Sequence, residues 1–519
     1  MLKQLQLRLK PEVAGDSLRL QIEVSTMLNL DVNRIKQIDV NRRSIDARQR
    51  QVMVNVALTV HIDEICPEAS QATPVDFKPV PDNAPCAIVV GAGPAGLFAA
   101  LQLIEEGVRP IVLERGKDVE ARRTDLAAIS REGKVDPDSN YCFGEGGAGA
   151  YSDGKLFTRS KKRGSVEKIL NILHQHGAPA DILVDAHPHV GSDRLPAVIK
   201  AMRLTIERCG GQVHFGMRVT DLQIEGKKVT GVRTADGAVF SGPVILATGH
   251  SARDVYRFLA AGKVAMEPKG IAVGVRIEHP QELIDKIFYH LKPGATRGKY
   301  LPAAEYSLLT RIDDRAVYTF CMCPGGYVIP ATNEPGLMVV NGMSPSNRGT
   351  AWANSGLVVE ILPEDMPGDN PLKMMTFQQG IERQFFNAGE DGSQAAPAQR
   401  VTDFIKGADS ADLPRSSYTA GVYPGRLEKL LPMGVASRLR EALVQFGEKY
   451  KGYVTDQAIV VGDETRTSAP VRIVRDSQTL QHVELAGLYP CGEGAGYAGG
   501  IVSAAIDGQR CAQALAATL

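Results

Sequence analysis

The chain has a single tryptophan and only 6% aromatic residues, and its 59 basic residues are matched by 59 acidic ones. Formal net charge is therefore zero, so the overall balance draws it to neither nucleic acid nor an anionic membrane. Eight cysteines include no Cys-x-x-Cys and no clustered metal spacing, which argues for free thiols, and the lack of a redox pair near the first nucleotide helix disfavours a disulfide reductase. Cys321-Met322-Cys323 sets two soft ligands close together, but with no matching pair elsewhere core packing is the simpler reading, and no metal is expected. No Gly-x-Ser-x-Gly elbow is present, which argues against acyl-transfer hydrolysis. The most apolar stretch, 87–104, reaches the length of a membrane span but is broken by Gly91, Gly93, Pro94 and Gly96. Leu5, Leu7 and Leu9 alternate among Lys, Gln and Arg residues where a secretory segment would be continuously apolar, so a cytoplasmic location is expected.

Glycine, by contrast, is abundant at 52 of 519 residues, as expected where backbone must approach a ligand closely. G-x-G-x-x-G occurs three times, at 91–96, 144–149 and 494–499. Only the first has the context that gives it a physical meaning. Residues 87–90 read as a buried strand, 97–104 as a helix, Gly107 as its stop, and 110–113 as a second strand ending in Glu114 and Arg115. Gly91 permits the tight turn, Gly93 lets backbone approach a pyrophosphate, and Gly96 lets the helix pack on the strand. Pro94 and Ala95 open the helix, whose unpaired N–H groups face the phosphates. Glu114, 18 residues beyond Gly96, is placed to accept hydrogen bonds from the ribose hydroxyls and to repel a 2′-phosphate. The second copy lacks a buried strand before it, and the third has no second strand after it, so neither forms a second nucleotide domain.

The third copy ends in Gly499-Gly500, which opens a predicted helix from Ile501 to about Ala516. A second helix start suits a long dinucleotide whose far end is a flavin with an electron-rich pyrimidine edge. Together with Thr248 and Gly249 at the end of another strand, three separated segments would embrace one extended ligand. On these segments, and on 43–48, 144–155, 464–472 and 492–500, the sequence resembles the bacterial FAD-dependent dehydrogenases of the glutathione-reductase superfold. The resemblance implies FAD as cofactor and adds Gly147, Ser152, Asp153, Lys155, Val219, Gly492 and Glu493 to its expected contacts. Many relatives place Asp where Glu493 stands, one methylene shorter.

The expected fold class is α/β: a Rossmann-like FAD-binding domain of glutathione-reductase type, an inserted mixed α+β substrate domain, and a small N-terminal βαββ module. Its expected boundaries are 1–66 for the module, 67–85 for a linker with five prolines, 86–250 and 458–519 for the two parts of the FAD-binding domain, and 251–457 for the insert. Within the module, 18–28 fits either a strand or a helix face, and the resemblance favours helix. Residues 213–246 read as a meander returning to the nucleotide sheet.

Flavin performs the redox chemistry itself, so few catalytic side chains are called for. Lys155 and Arg466 are the candidates, the second able to fork onto a substrate carboxylate, as is Arg472. His250 reads more simply as a packed residue than as a proton carrier. The expected activity is hydride transfer between FAD and a small-molecule substrate, with NAD(P)H docking only transiently as donor or acceptor, since no second Rossmann unit is legible. Two other classes stay open. One is a flavin-dependent RNA-modifying enzyme using Arg34, Lys36, Arg42, Arg43, Arg48 and Arg50, although ten basic against eight acidic residues give the module a net of only +2. The other is a non-catalytic carrier on the same superfold.

Overall fold

The computed structural model describes residues 1–65, 74–158, 163–389, 392–432 and 434–519. The first part of the Pro-rich linker, with Cys66, therefore lies outside the described residues.

The N-terminal module is a three-stranded antiparallel sheet in which Met53–Ile62 lies between Leu2–Leu9 and Ile35–Asp46. Val54, Val56, Leu58 and Val60 alternate into its core as period-2 patterning requires. The ambiguous segment is the helix Ser17–Leu28, started by Asp16, whose side chain accepts from Arg19 N at 3.1 Å. A helical face buries Leu20 and Val24 and leaves Leu18 and Ile22 exposed, whereas a strand would have put all four on one side. Several of the module's basic residues are already paired: Arg34 with Asp63, Arg48 with Asp46, and Arg43 with Asp181 and Asp185 outside the module. These pairs count against the RNA-binding alternative.

The chain's central layer is a five-stranded parallel sheet in the order Leu488–Pro490, Val244–Leu246, Cys86–Val90, Arg109–Leu113, Gln212–His214. The helices Pro94–Glu105 and Ile501–Ala516 share one apolar core beside it. The expected meander divides between two sheets. Gln212–His214 joins the parallel sheet, while Val219–Glu225, Lys228–Thr234 and Val239–Ser241 form a separate antiparallel sheet. Gly242, at φ 143°, and Pro243 break the apolar run 239–246 so that each half enters a different sheet.

The insert is built on a seven-stranded sheet in the order Leu309–Ile312, Arg315–Cys323, Trp352–Ile361, Ile271–Pro280, Ile459–Glu464, Ala396–Arg400, Val422–Pro424. Its boundaries depart from the expected 251–457 at both ends. The helix Arg253–Ala261 packs with Val219, Leu222 and Val244 in a core beside the parallel sheet, and Ile459–Glu464 pairs with Ile271–Pro280 inside the insert. The crossing is made by Met266–Pro268 and Val471–Ile473, which pair antiparallel. An apolar run such as 459–461 announces a buried strand without saying which sheet it joins.

Candidate FAD site

Three glycines of the first loop serve different ends. Gly91 sits at φ 103°, where a Cβ would lie 2.5 Å from Ala247 O, and a Cβ on Gly96 would lie 1.9 Å from Gly91 O. Both are required by the packing of strand, loop and helix. Gly93 is not, since its backbone is extended and a Cβ there would meet only Gly147 Cα, at 3.8 Å. Its bare face opens on a cleft of about 390 Å³.

Two helix starts open on this cleft. In Pro94–Glu105 the first helical bond runs from Leu97 N to Gly93 O, and in Ile501–Ala516 from Ala504 N to Gly500 O. The N–H groups ahead of those bonds have no partner within their helices and carry the positive end of each dipole. The 144–149 loop joins the two: Gly146 N donates to Ala92 O at 2.8 Å, and a Cβ on Gly149 would touch Pro94 at 3.3 Å and Ile501 at 3.4 Å. Gly500 lies at φ 153°, nearly closed to other residues, and nothing stands within 4 Å of where its Cβ would be.

Of the expected contacts, Gly91, Gly93, Pro94, Ala95, Glu114, Arg115, Gly147, Ser152, Asp153, Lys155, Val219, Thr248, Gly249, Glu493, Gly499, Gly500 and Ile501 line the cleft, as does Arg466. Gly96 and Gly492 do not. Gly96 acts through helix packing, and Gly492 faces Ala95 and donates its N–H to Asp507 Oδ2 at 2.8 Å.

Several lining residues are committed in ways the spacing did not foretell. Glu114 accepts from three backbone N–H groups, Ala92 at 2.8 Å and Gly116 and Gly144 at 2.9 Å each, so it knits three loops together besides facing the cleft. Arg115 is paired with Asp138 and Asp254. Asp153 is gripped by Arg348 of the insert, at 2.7 and 3.2 Å, and is a domain clamp before it is a cofactor ligand. Arg466 corrects the expectation of a substrate-binding fork: Nε and Nη2 hold both oxygens of Glu382 at 3.0 and 2.8 Å, and Nη1 bonds Asn333. Lys155 lines the cleft and forms no ion pair among the described residues, and its charge acts on Glu305 and Cys321. Arg472 lies instead on an adjoining cavity with Arg163, and that cavity shares Phe157, Phe320, Gly499 and Gly500 with the cleft.

Burial shapes the titration of the lining groups. It pulls His250 down to about 4, aided by Arg466 and Arg253, so the imidazole is neutral, with Nδ1 and Ser251 Oγ 2.8 Å apart. It pushes Glu493 up to about 7, which the nearby Lys269 opposes. Cys491, Asp507 and Cys511 bring ligand-type atoms within 4.8 Å of one another, but Arg475 already supplies a cation there, bonding Asp507 at 2.6 Å and Cys511 at 3.3 Å. Phe320, Cys321 and Asn341, which form the insert's wall of the cleft, went unpredicted because the insert carries no motif.

Comparison with known proteins points to a flavoprotein. Residues 85–127 match a model described as an FAD binding domain, 270–467 one described as FAD-dependent protein, C-terminal domain-like, and 1–61 a domain of unknown function. An uncharacterized protein of Clostridium beijerinckii is 40% identical over 519 residues, covering 95% of each chain. The chain belongs to that protein's family. It binds FAD and is an FAD-dependent oxidoreductase of mixed α/β fold. A probable electron transfer flavoprotein-quinone oxidoreductase of Escherichia coli is 32% identical over 191 residues, 37% of this chain and 42% of that one. The solved flavin-dependent brominase Bmp2 is more distant, at 12% identity and a TM-score of 0.38 over 83% of this chain and 78% of its own. Among the described residues no helix is long and apolar enough to cross a membrane.

Removing the Glu114 carboxylate tests its double duty. Glu114→Ala leaves three buried N–H groups without their acceptor, at ~1–3 kcal/mol each, so the FAD-free protein should melt lower and retain less FAD on reconstitution. Loss of FAD with an unchanged melting temperature would return Glu114 to ribose binding alone.

Proposed function

We propose that FAD lies extended along the cleft in the glutathione-reductase manner, and that the enzyme transfers hydride between it and a small molecule entering from the insert side. The observation that carries this reading is the pair of helix starts, 94–96 and 501–503, opening on one cleft beside two glycines, Gly93 and Gly500, whose missing side chains leave space that the protein itself does not fill. The Gly93 loop and Pro94–Glu105 would hold the pyrophosphate, Glu114 and Val219 the adenosine, and 499–501 the flavin. When bound, FAD supplies two-electron chemistry at its isoalloxazine ring.

The remaining work falls to the chain. Lys155 supplies a fixed positive charge at the cleft wall, and Phe157 and Phe320 give an apolar boundary where the cleft meets the adjoining cavity. Arg163 and Arg472 on that cavity suit a substrate bearing carboxylate or another anionic group. Glu493, titrating near neutrality, is matched to hold or release a proton at the cleft. A nicotinamide cofactor would dock transiently from the same side.

The experiment is to release the cofactor by heat and then titrate the holoenzyme with a panel of donors and acceptors, quinones and nicotinamides included, following flavin absorbance. FAD at one per chain, bleached by a small-molecule donor, is the expected result. Recovery of FMN, or retention of RNA with no small-molecule turnover, would overturn the reading.

The Glu493 carboxyl also makes a stability prediction. Its folded value of about 7 lies above the ordinary 4.5, so its contribution is fully present below 4.5 and is lost as pH rises through about 7. Glu493→Gln should therefore flatten part of the fall in melting temperature of the FAD-free protein across that window. An identical pH profile in the variant would place the shifted titration elsewhere.

A further inference from the structure

The Cys321-Met322-Cys323 run is only half core. Cys323 is fully buried, and its Sγ donates to Cys321 O at 3.4 Å. Cys321 instead lines the cleft between Phe320 and the insert's Asn341. Its backbone stands in the left-handed region at φ 45°, and the pairing of its strand with Trp352–Ile361 slips between Phe320 and Cys323. Left-handed backbone is uncommon for a residue that carries a side chain, and bulges of this kind re-aim side chains beside functional sites. Here the bulge sets one thiol on the cleft wall and keeps a second buried two residues away.

The charges around the pair favour one thiolate and one thiol. Arg276, buried and paired with Glu464, donates to Cys321 O at 2.7 Å and to Cys323 Sγ at 3.5 Å. Lys155 adds a second cation at the cleft wall, while the opposing carboxylates are Asp153, bonded to Arg348, Glu464, bonded to Arg276, and Glu493 on the same cleft. The Cys323 thiol, with Lys155 and Arg276, holds the Cys321 thiol down to about 5 against burial, and Cys323 is pushed well above the ordinary range. That division is what a dithiol needs, an attacking thiolate and a partner that keeps its proton until it is called on. Both cysteines are free thiols in this structure.

We propose that Cys321 and Cys323 are a redox-active dithiol serving the FAD cleft, and that the substrate class is a low-molecular-weight thiol or disulfide carrying anionic groups. The proposal rests on the reading that FAD occupies this cleft. With a disulfide RSSR, the Cys321 thiolate attacks one sulfur, the RS–SR bond breaks and RS⁻ leaves. Cys323 then loses its proton and attacks Cys321 Sγ, forming the Cys321–Cys323 bond and releasing the second RS⁻, which takes up that proton. Reduced FAD, recharged by a nicotinamide donor, restores the dithiol by passing it two electrons and one proton, which yields one thiolate and one thiol. In the opposite direction the thiolate and the thiol pass two electrons and their one proton to FAD as oxidant. A disulfide closed across one intervening residue is strained and correspondingly easy to reduce, as a turnover group must be.

The test uses the holoenzyme and two independent readouts. Air-equilibrated protein is denatured in excess iodoacetamide and its peptides weighed, and a second sample is titrated anaerobically with dithionite. The expected results are that Cys321 and Cys323 resist alkylation until reduced, and that wild type takes up four electrons per FAD where Cys321→Ser and Cys323→Ser each take up two. In reduced wild type the alkylation rate of Cys321 should also hold level from pH 8 down to pH 6, and in Cys323→Ser, where Lys155 and Arg276 remain but the Cys323 thiol does not, it should fall over that range. Two electrons in wild type, with both cysteines freely alkylated in air-equilibrated protein, would overturn the proposal and leave the FAD reading standing. Protein without FAD would sink the FAD reading, and the peptide masses would still decide the dithiol.

Discussion

Gly96→Ala should yield protein without FAD. A Cβ at residue 96 would stand 1.9 Å from Gly91 O, 3.0 Å from Gly91 C and 3.3 Å from a methyl of Val89, so it strikes backbone that cannot swing aside as a side chain does. Relief by moving the helix outward is blocked on its other side, where a Cβ on Gly508 of the C-terminal helix would lie 2.1 Å from Ala95 O. Pro94–Glu105 is thus held between the nucleotide loop and Ile501–Ala516, and any shift displaces both helix starts that face the cleft. Overpacking of this kind costs ~1–3 kcal/mol in a well-packed core, and the FAD-free variant should melt lower. Gly93→Ala separates the two roles. Its backbone is extended and its Cβ has room in the protein, so the melting temperature should stay at the wild-type value while FAD retention falls, because the added methyl occupies ligand space. The pair is read by flavin absorbance after purification and by melting of the FAD-free proteins. Full FAD occupancy in Gly93→Ala would move the pyrophosphate off this loop.

The contrast between these glycines shows what a sequence can carry. The loop, its helix and the acid at the end of the second strand lie within 30 residues, and local spacing specifies them. Glu114 was legible as a position, yet one of its bonds goes to Gly144, 30 residues on, where the fold alone brings a backbone N–H to it. Distance along the chain hides the rest. Asp153 meets Arg348 across 195 residues, and Arg466 meets Glu382 across 84, so each looked available to a ligand when read alone. The same holds for 459–464, whose apolar residues demanded a buried strand while its neighbours, Ile271–Pro280 and Ala396–Arg400, were chosen by topology. The CxC pair was visible as two sulfurs, but only the bulge decides that one of them reaches the cleft.

Glu382→Ala should be among the most destabilising single changes available to the chain. Glu382 lies on Lys373–Asn387 of the insert, and its two oxygens are shared by Arg466 beside the cleft and by Arg253 on a helix of the FAD-binding domain, at 2.6 and 2.8 Å to the latter. All three side chains are buried, with relative exposures of 0%, 6% and 2% for Glu382, Arg466 and Arg253. Removing the shared anion leaves two buried guanidinium charges with Glu334, 3.4 Å from Arg253, as the remaining carboxylate partner, and breaking a buried pair in this way costs ~3–5 kcal/mol. Burial opposes ionisation of Glu382, but the two guanidiniums outweigh it and hold the carboxyl down to about 2. Its contribution is therefore present above the ordinary 4.5 and lost as pH falls through about 2, so the gap in melting temperature between wild type and Glu382→Ala should be wide at neutral pH and narrow in acid. A constant gap would assign the loss to packing instead of charge. Replacing the whole trio by Arg253→Met, Glu382→Leu and Arg466→Met removes the uncompensated charges and should recover most of the stability, as apolar substitutes for buried ion networks often do. If that triple variant also keeps its FAD and its donor-driven flavin bleaching, Arg466 serves the fold alone. Recovered stability with impaired bleaching would mean that the trio's remaining purpose is to hold one guanidinium at the edge of the cleft.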